Sequence, residues 1–121
     1  MNKLFRKVLG DKGEQLAKKT LKKQRYTIIA SNYRCTGGEI DIIARHKDYL
    51  VFIEVRSKSS TQYGLPVETV DYAKQKKIKK AAQHYLTVNG LNDSLCRFDV
   101  VSIIWGNDQL PVIEVFQDAF Q

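Results

Sequence analysis

The feature that most constrains the fold is a pair of largely apolar segments, residues 39–45 and 49–58, joined around Lys47 and Asp48. Within both segments apolar and other side chains alternate, as expected of strands whose two faces have different surroundings. A two-residue loop fixes the register of a β-hairpin, so pairing can be counted outward from His46 and Tyr49. The sequence therefore predicts a hairpin with a defined set of cross-strand neighbours.

This register separates the side chains of the predicted hairpin into two faces. On one face Ile40, Ile42 and Ala44 meet Val55, Ile53 and Val51. On the other face Ile43 meets Phe52, Asp41 meets Glu54, and Glu39 meets Arg56. A slip of one residue would set apolar against charged side chains, so this register is favoured. The first face is wholly apolar and is predicted to pack on a helix.

The opposed carboxylates of Asp41 and Glu54 need an explanation, because their Cβ atoms would lie roughly 5 Å apart. Like charges so placed are destabilising unless something offsets them. A divalent cation could bridge them, since Mg²⁺ takes carboxylate oxygens. A shared proton or a salt-bridge network with Arg56 or Lys58 would serve equally. The spacing leaves all three arrangements open, although the metal interpretation also explains the large apolar neighbours.

The remaining patterns predict the order of the other elements. Helices are predicted over residues 11–25 and 67–88, and further strands over residues 26–34, 97–105 and 111–116. Asp11 would cap the first helix with Glu14 as its capping-box partner, a structural role that competes with any functional one for Glu14. The order α-β-β-β-α-β-β predicts an α/β fold, a mixed five-stranded sheet flanked by helices, in a single domain over residues 1–121.

The net charge of the chain indicates which kind of partner it could bind. Its net charge is +7, from 20 Lys and Arg against 13 Asp and Glu. Such a balance favours a polyanionic partner, although it can also serve solubility alone. No apolar run approaches the roughly 20 residues of a membrane helix, and the N-terminus lacks the pattern of a signal peptide. We therefore expect a cytoplasmic protein with no membrane partner and, in that reducing compartment, two free thiols.

Two segments of the predicted hairpin carry a resemblance to known proteins. "GEIDIIA" followed by "VFIEVRSK" resembles the YraN-type family of small uncharacterised bacterial proteins. That family is similar to the restriction-endonuclease-like superfamily, near the archaeal Holliday junction resolvases. The superfamily motif is an Asp, a spacer and Glu-x-Lys, and this chain has Asp41, twelve intervening residues and Glu54-Val55-Arg56. The resemblance extends to "GDKGEQLA", "YGLPVETVDYAKQKKI" and "CRFDVVSI", and so to nearly the whole chain.

The resemblance implies a metal-dependent nuclease site. Asp41, Glu54 and the Val55 carbonyl would bind Mg²⁺ or Mn²⁺, and Glu14 matches a helix-borne acid that would complete the shell. Lys74 and Gln75 match the start of the family's second conserved block, with Lys74 expected to reach the acids. Arg56 departs from the motif, because an arginine cannot act as a proton acceptor as a lysine can. It would serve only as a charge stabiliser, with Lys58 as a substitute.

The predicted function is Mg²⁺-dependent hydrolysis of DNA, with branched or damaged DNA as the substrate that the resolvase resemblance implies. The predicted DNA contacts are Lys58, Gln75, Lys76, Lys77 and Lys80, with a merely solvated helix surface as the alternative. Resolvases work as dimers, so a homodimer is also implied. The alternatives are a nucleic-acid-binding module of the same fold that lost cleavage at Arg56, and a purely structural domain. We also expect a Glu39–Arg56 salt bridge, a solvated His46, and an Asp99 that holds Arg97 or Lys74.

Overall fold

The computed structural model describes residues 3–59, 70–106 and 110–121, with the backbone alone for residues 3–9. The elements within these residues are α1 Lys3–Lys23, β1 Thr27–Cys35, β2 Gly38–His46, β3 Tyr49–Lys58, α2 Tyr72–Val88, β4 Cys96–Ile104 and β5 Val112–Phe120. The predicted α/β class and the order α-β-β-β-α-β-β are confirmed. Neither helix in this part of the chain has the length and apolar character that a membrane crossing requires.

The five strands form one mixed sheet in the order β1-β2-β3-β4-β5. Neighbouring strands are antiparallel except β3 and β4, which are parallel. A parallel pair needs a crossover connection, and α2 lies between these two strands in the chain. The central hairpin β2–β3 is thus covered by neighbours on both sides, while β1 and β5 are the edges of the sheet.

Each helix packs on a different face of the sheet. The α1 face contains Ala17, Leu21, Ile42, Ala44, Val51, Ile53, Val101 and Ile103, all buried. The α2 face contains Ile40, Ile43, Phe52, Ile78, Ala81, Ala82 and Val100, also buried. The alternation of apolar residues in the hairpin thus places successive side chains in two separate clusters.

The first helix begins earlier than predicted. α1 runs from Lys3, so Asp11 lies inside the helix and cannot cap it. The segment "KLFRKVLG" is rich in residues of good helix propensity, which extends the helix through Gly10 despite the cost of a glycine. The capping-box role that competed for Glu14 is therefore wrong.

The second helix begins later than predicted, and the last strand ends later. Asp71 is the N-cap of α2, and its carboxylate accepts a 2.8 Å hydrogen bond from the Lys74 amide. Val70 precedes this cap, and the predicted helical positions 67–69 lie outside the described residues. An aspartate whose side chain accepts a hydrogen bond from the amide three residues later is preferred at the N-cap of a helix. β5 continues beyond Phe116 to Phe120.

The predicted register of the hairpin holds for its inner part. His46 pairs with Tyr49, and the pairing continues to Ile42 and Ile53. Beyond that point the Val55 amide donates to Oδ2 of Asp41 at 2.8 Å. A side chain thus takes the place of a β2 carbonyl, and the alternation of β2 shifts. As a result Ile40 packs in the α2 cluster, and the prediction that it shares a face with Ile42 is wrong.

Candidate active site

The site is centred on the carboxyl groups of Asp41 in β2 and Glu54 in β3. They lie where the paired register of the two strands ends. Only 6% of the Glu54 side chain is exposed, and Asp41 is half-buried. The two carboxyl groups lie close enough together that each influences the pKa of the other. The structure brings this pair together, as the sequence predicted.

Burial dominates the electrostatics of this pair. It raises the pKa of Glu54 to about 8, and the neighbouring charge of Asp41 adds to the shift. Burial likewise raises the pKa of Asp41, although the hydrogen bond from the Val55 amide opposes this. A buried carboxyl resists ionisation because the low-dielectric interior disfavours its charged form. Burial therefore favours the protonated form of Glu54 near neutral pH.

Two cations flank Glu54. Lys74 Nζ lies 3.9 Å and Arg56 Nη1 lies 4.0 Å from Glu54 Oε1. Both distances exceed the length of a charge-assisted hydrogen bond, so the two cations act on Glu54 through their charge, and each lowers the pKa of this carboxyl group. Lys74 is positioned by the start of α2, where its amide binds the Asp71 cap. The structure thus brings together Asp41, Glu54, Arg56 and Lys74, and Lys74 reaches the acids as predicted.

Glu14 approaches the pair from the α1 side. With Asp41, Val55, Ser57 and Gly10 it lines a small pocket of about 210 Å³. Its carboxylate accepts hydrogen bonds of 3.0 and 3.2 Å from the Asn32 amide. Lys18 lies 3.3 Å from the same carboxylate. Glu14 therefore lines the pocket beside Asp41 while its oxygens are engaged by other side chains.

Asn32 is a residue that the sequence reasoning missed. It lies in β1 between Ser31 and Tyr33, which pair with Ile42 and Ile40, so it is opposite Asp41. Its backbone has a φ of 53°, a left-handed conformation that asparagine tolerates better than most residues. The only sequence signal was an asparagine inside a predicted strand, where this residue type is uncommon.

The other predicted DNA contacts are spread over the surface rather than gathered at the acids. Lys77 lines a pocket of about 340 Å³ together with Lys74, Arg34 and Glu39. The Gln75 side chain donates a 2.9 Å hydrogen bond to the carbonyl of Val70, the residue just before the N-cap of α2. Lys76 lies over the Tyr72 ring, Lys80 is exposed on α2, and Lys58 ends β3. Glu39 pairs with Arg34 at 3.1 Å, and the predicted Glu39–Arg56 bridge stays a prediction.

A second polar cluster lies on the α1 face. Asp99 accepts hydrogen bonds from the Tyr26 hydroxyl, the Arg97 guanidinium and the Asp118 amide. Asp99 thus holds Arg97, as predicted. His46 is buried, stacks on Tyr26 with centroids 4.0 Å apart, and contacts Arg97. The expectation of a solvated His46 is wrong, because Tyr26, far away in the sequence, covers its ring.

The chemistry of the donors fits a hard divalent cation bound by two protein carboxylates. Asp41 and Glu54 supply carboxylate oxygens, and the positive charges of Lys74 and Arg56 lie beside Glu54. Mg²⁺ is commonly bound by one or two carboxylates and keeps several waters. Among the residues that the structure describes, no three His, Cys, Asp or Glu side chains are grouped closely enough to hold a metal. A closed cage that includes Glu14 does not fit this arrangement.

The fold and the site define a small basic α/β protein with a buried carboxyl pair on its central hairpin. The chain belongs to the uncharacterised protein family UPF0102, whose model matches residues 13–103. It is 44% identical over 123 residues to a UPF0102 protein of Clostridium acetobutylicum, covering 100% of this chain and 99% of the relative. It is 45% identical over 118 residues to one of Geobacter metallireducens, covering 98% and 96% of the two chains. The predicted family is therefore confirmed, and the wider likeness to restriction endonucleases stays a prediction.

Proposed function

We propose that this protein is a Mg²⁺-dependent DNA endonuclease that selects its substrate by structure. The observation that carries the proposal is the carboxyl pair of buried Glu54 and half-buried Asp41, with Lys74 and Arg56 beside it. A pair of acids with raised pKa values beside basic side chains is typical of functional sites. A sequence of net charge +7 suits a polyanionic substrate such as DNA.

The residues of the chain have separate tasks in this proposal. The Val55 amide holds one oxygen of Asp41, so the carboxylate is oriented before any ligand binds. Glu54 must release its proton for both acids to act as ligands, and the nearby charge of Lys74 favours this loss. Bound Mg²⁺ would polarise the scissile phosphate and lower the pKa of an attacking water. Arg56 would stabilise the negative charge that develops on the phosphate.

A test by cleavage uses labelled four-way-junction, flap, single-stranded and linear duplex DNA with Mg²⁺, Mn²⁺ or EDTA. Wild type should cut only with metal, and Asp41→Asn and Glu54→Gln should fall to the level of the EDTA control. Glu39→Gln is the matched control, because Glu39 lies two residues from Asp41 but pairs with Arg34. Cleavage by Asp41→Asn equal to wild type would refute the proposal.

The second candidate is a nucleic-acid-binding module of the same fold without cleavage. Arg56 favours it, because this side chain stays protonated where the motif has a lysine. Arg56→Lys separates the two candidates: cleavage by this variant alone identifies a nuclease site disabled at one position. Calorimetric titration with Mn²⁺ adds a readout that needs no turnover. Absence of cleavage, metal binding and DNA binding in both proteins would reject both candidates.

The proposal extends to a homodimer, because a four-way junction presents two symmetric cutting positions. β1 and β5 are the sheet edges, and Leu110 and Val112 beside and within β5 are 89% and 55% exposed. Exposed apolar side chains at a strand edge are suited to pairing between chains. Light scattering after gel filtration, with and without junction DNA, tests this part. A monomer in both states would refute it.

A further inference from the structure

A groove lies on the outer side of α1, next to the end of β4. It has a volume of about 700 Å³, and its apolar walls are formed by Leu16, Trp105 and Pro111. We call it the α1 groove. This volume is in the range of pockets that bind small organic ligands, roughly 300–1,000 Å³. The groove is therefore large enough to receive an aromatic ring such as a nucleobase.

The rim of the α1 groove is strongly basic. Lys12, Lys18, Lys19 and Lys22 line it, and among the described residues only Asp11 brings a negative charge. Lys12, Lys19 and Lys22 are exposed, and their spacing of seven and three residues places them along one side of the helix. An apolar wall with a basic rim matches a ligand that combines flat apolar rings with repeated negative charges.

The α1 groove is adjacent to the carboxylate pocket. The indole N–H of Trp105 donates a hydrogen bond to Oγ of Ser57, and Ser57 lines the pocket with Asp41. Lys18 lines the groove and also lies 3.3 Å from Glu14, which lines the same pocket as Ser57. One side chain from β3 and one ion pair on α1 thus form the boundary between the two cavities.

We propose that the α1 groove binds an unpaired DNA strand and directs it to the carboxylate pocket. A base would pack on Trp105, and the phosphates would contact Lys12, Lys19 and Lys22. Single-strand sites combine an aromatic platform with a basic track in this way, whereas a duplex keeps its base faces stacked inside. The inference deepens the proposed function and rests on it for cleavage. It names the substrate class as DNA with a single-stranded segment beside a duplex.

The first test uses the fact that Trp105 is the only tryptophan in the sequence. Its fluorescence therefore reports directly on the groove. Titration with oligothymidylate in EDTA should quench this fluorescence saturably, and a duplex of equal charge should quench it less. Lys19→Gln combined with Lys22→Gln should weaken binding and reduce the salt slope by about 0.7 for each phosphate that a lysine no longer neutralises. Arg45→Gln combined with Lys47→Gln at the turn of the β2–β3 hairpin removes the same two positive charges from exposed positions, so it is the matched control and should change neither.

The second test replaces the aromatic platform and follows a fluorescein-labelled oligonucleotide by anisotropy. Trp105→Leu should weaken binding about five- to hundredfold, while Trp105→Phe should retain most of it. Circular dichroism and the unfolding midpoint establish that each variant is folded. Equal quenching by duplex would overturn the proposal. Equal losses of affinity in the α1 lysine variant and the Arg45/Lys47 control would overturn it too. The proposal would also be overturned if substitutions in the groove changed only self-association, measured by light scattering.

Failure of this inference can be told apart from failure of the proposed function. The binding tests need no metal and can be repeated with Asp41→Asn. Single-strand binding in the groove without cleavage of any DNA would support the groove and reject the nuclease. Cleavage of flap DNA by Trp105→Leu and the α1 lysine variant at wild-type rate and affinity would support the nuclease and reject the groove.

Discussion

Glu54 gives the protein a pH dependence that is opposite to that of most acidic side chains. Its pKa rises from 4.5 to about 8 on folding, so the native state binds a proton that the unfolded chain releases. The free energy of unfolding should therefore fall as pH rises from about 4.5 through 8 in EDTA. Urea unfolding across this range measures the slope.

Two variants make this pH prediction specific to Glu54. Glu54→Gln keeps a similar shape without an ionisable group, so its stability should be flatter over the same pH range and higher than wild type at pH 8. Glu39→Gln changes a carboxylate that is 43% exposed and should leave the slope as it is. A wild-type stability that rises with pH would contradict the assignment.

Substitutions of Asn32 can separate the contribution of its left-handed backbone conformation to stability from that of its side-chain contact with Glu14. Its φ of 53° disfavours residues with a Cβ, and its amide binds Glu14. Asn32→Ala should lower the free energy of unfolding by about 1–2 kcal/mol, because the conformation becomes more costly and the hydrogen bonds to Glu14 disappear. Asn32→Gly should lose less, since glycine adopts this conformation readily. Denaturant unfolding compares them, and an alanine variant as stable as the glycine one would refute the strain argument.

At the scale of elements, the approach of α2 to the hairpin depends on Gly38. A Cβ at this position would lie 2.4 Å from the carbonyl oxygen of Lys77, which is backbone and cannot rotate away. Gly38→Ala should therefore cost about 1–3 kcal/mol in unfolding free energy. The added methyl group should also push α2 away from the hairpin. Because α2 carries Lys74, this displacement should reduce any activity of the acid pair more than the loss of stability alone explains.

Gly13 provides the matched control for this close approach. A Cβ there would lie 3.5 Å from Ile103 and Ser57, which is ordinary contact. Gly13→Ala should stabilise α1 by about 0.5–1 kcal/mol, because glycine is costly inside a helix. Thermal unfolding of both variants measures the contrast, and equal effects at the two positions would show that the contact to Lys77 is not decisive.

The elements also show what the sequence can and cannot specify. The pairing from His46 and Tyr49 to Ile42 and Ile53 was predictable, because side-chain alternation and a two-residue turn fix a local register. The shift at Ile40 was not, because it depends on a hydrogen bond from the Val55 amide to a side chain. The early start of α1 was missed because a plausible capping box stood inside a longer helix.

At the scale of the whole molecule, distant contacts explain the other differences. Asp41 and Glu54 were brought together by local pairing, so their proximity could be predicted. The partner of Glu14 is Asn32, and the cover of His46 is Tyr26. Each of these contacts joins elements whose relative placement follows from packing of the sheet and helices, which no local pattern encodes.

The cluster around Asp99 joins several parts of the molecule. It connects Tyr26, just before β1, with Arg97 of β4 and the Asp118 amide of β5. Asp99→Ala would leave the buried Arg97 without its carboxylate, so unfolding free energy should fall by about 3–5 kcal/mol. Denaturant unfolding measures the loss. Asp93→Ala, an exposed acid before β4, is the control, and equal effects would contradict a structural role for Asp99.

The parallel pairing of β3 and β4 also has a consequence for how the chain assembles during synthesis. Asp41 and Glu54 belong to a local hairpin that leaves the ribosome before α2, which carries Lys74. Local hairpins form quickly, whereas a parallel pair must wait for its crossover helix. The nascent hairpin therefore brings two carboxyl groups together before their lysine arrives. Burial is the main cause of the raised pKa of Glu54, so this acid keeps its proton only once the rest of the fold covers the pair.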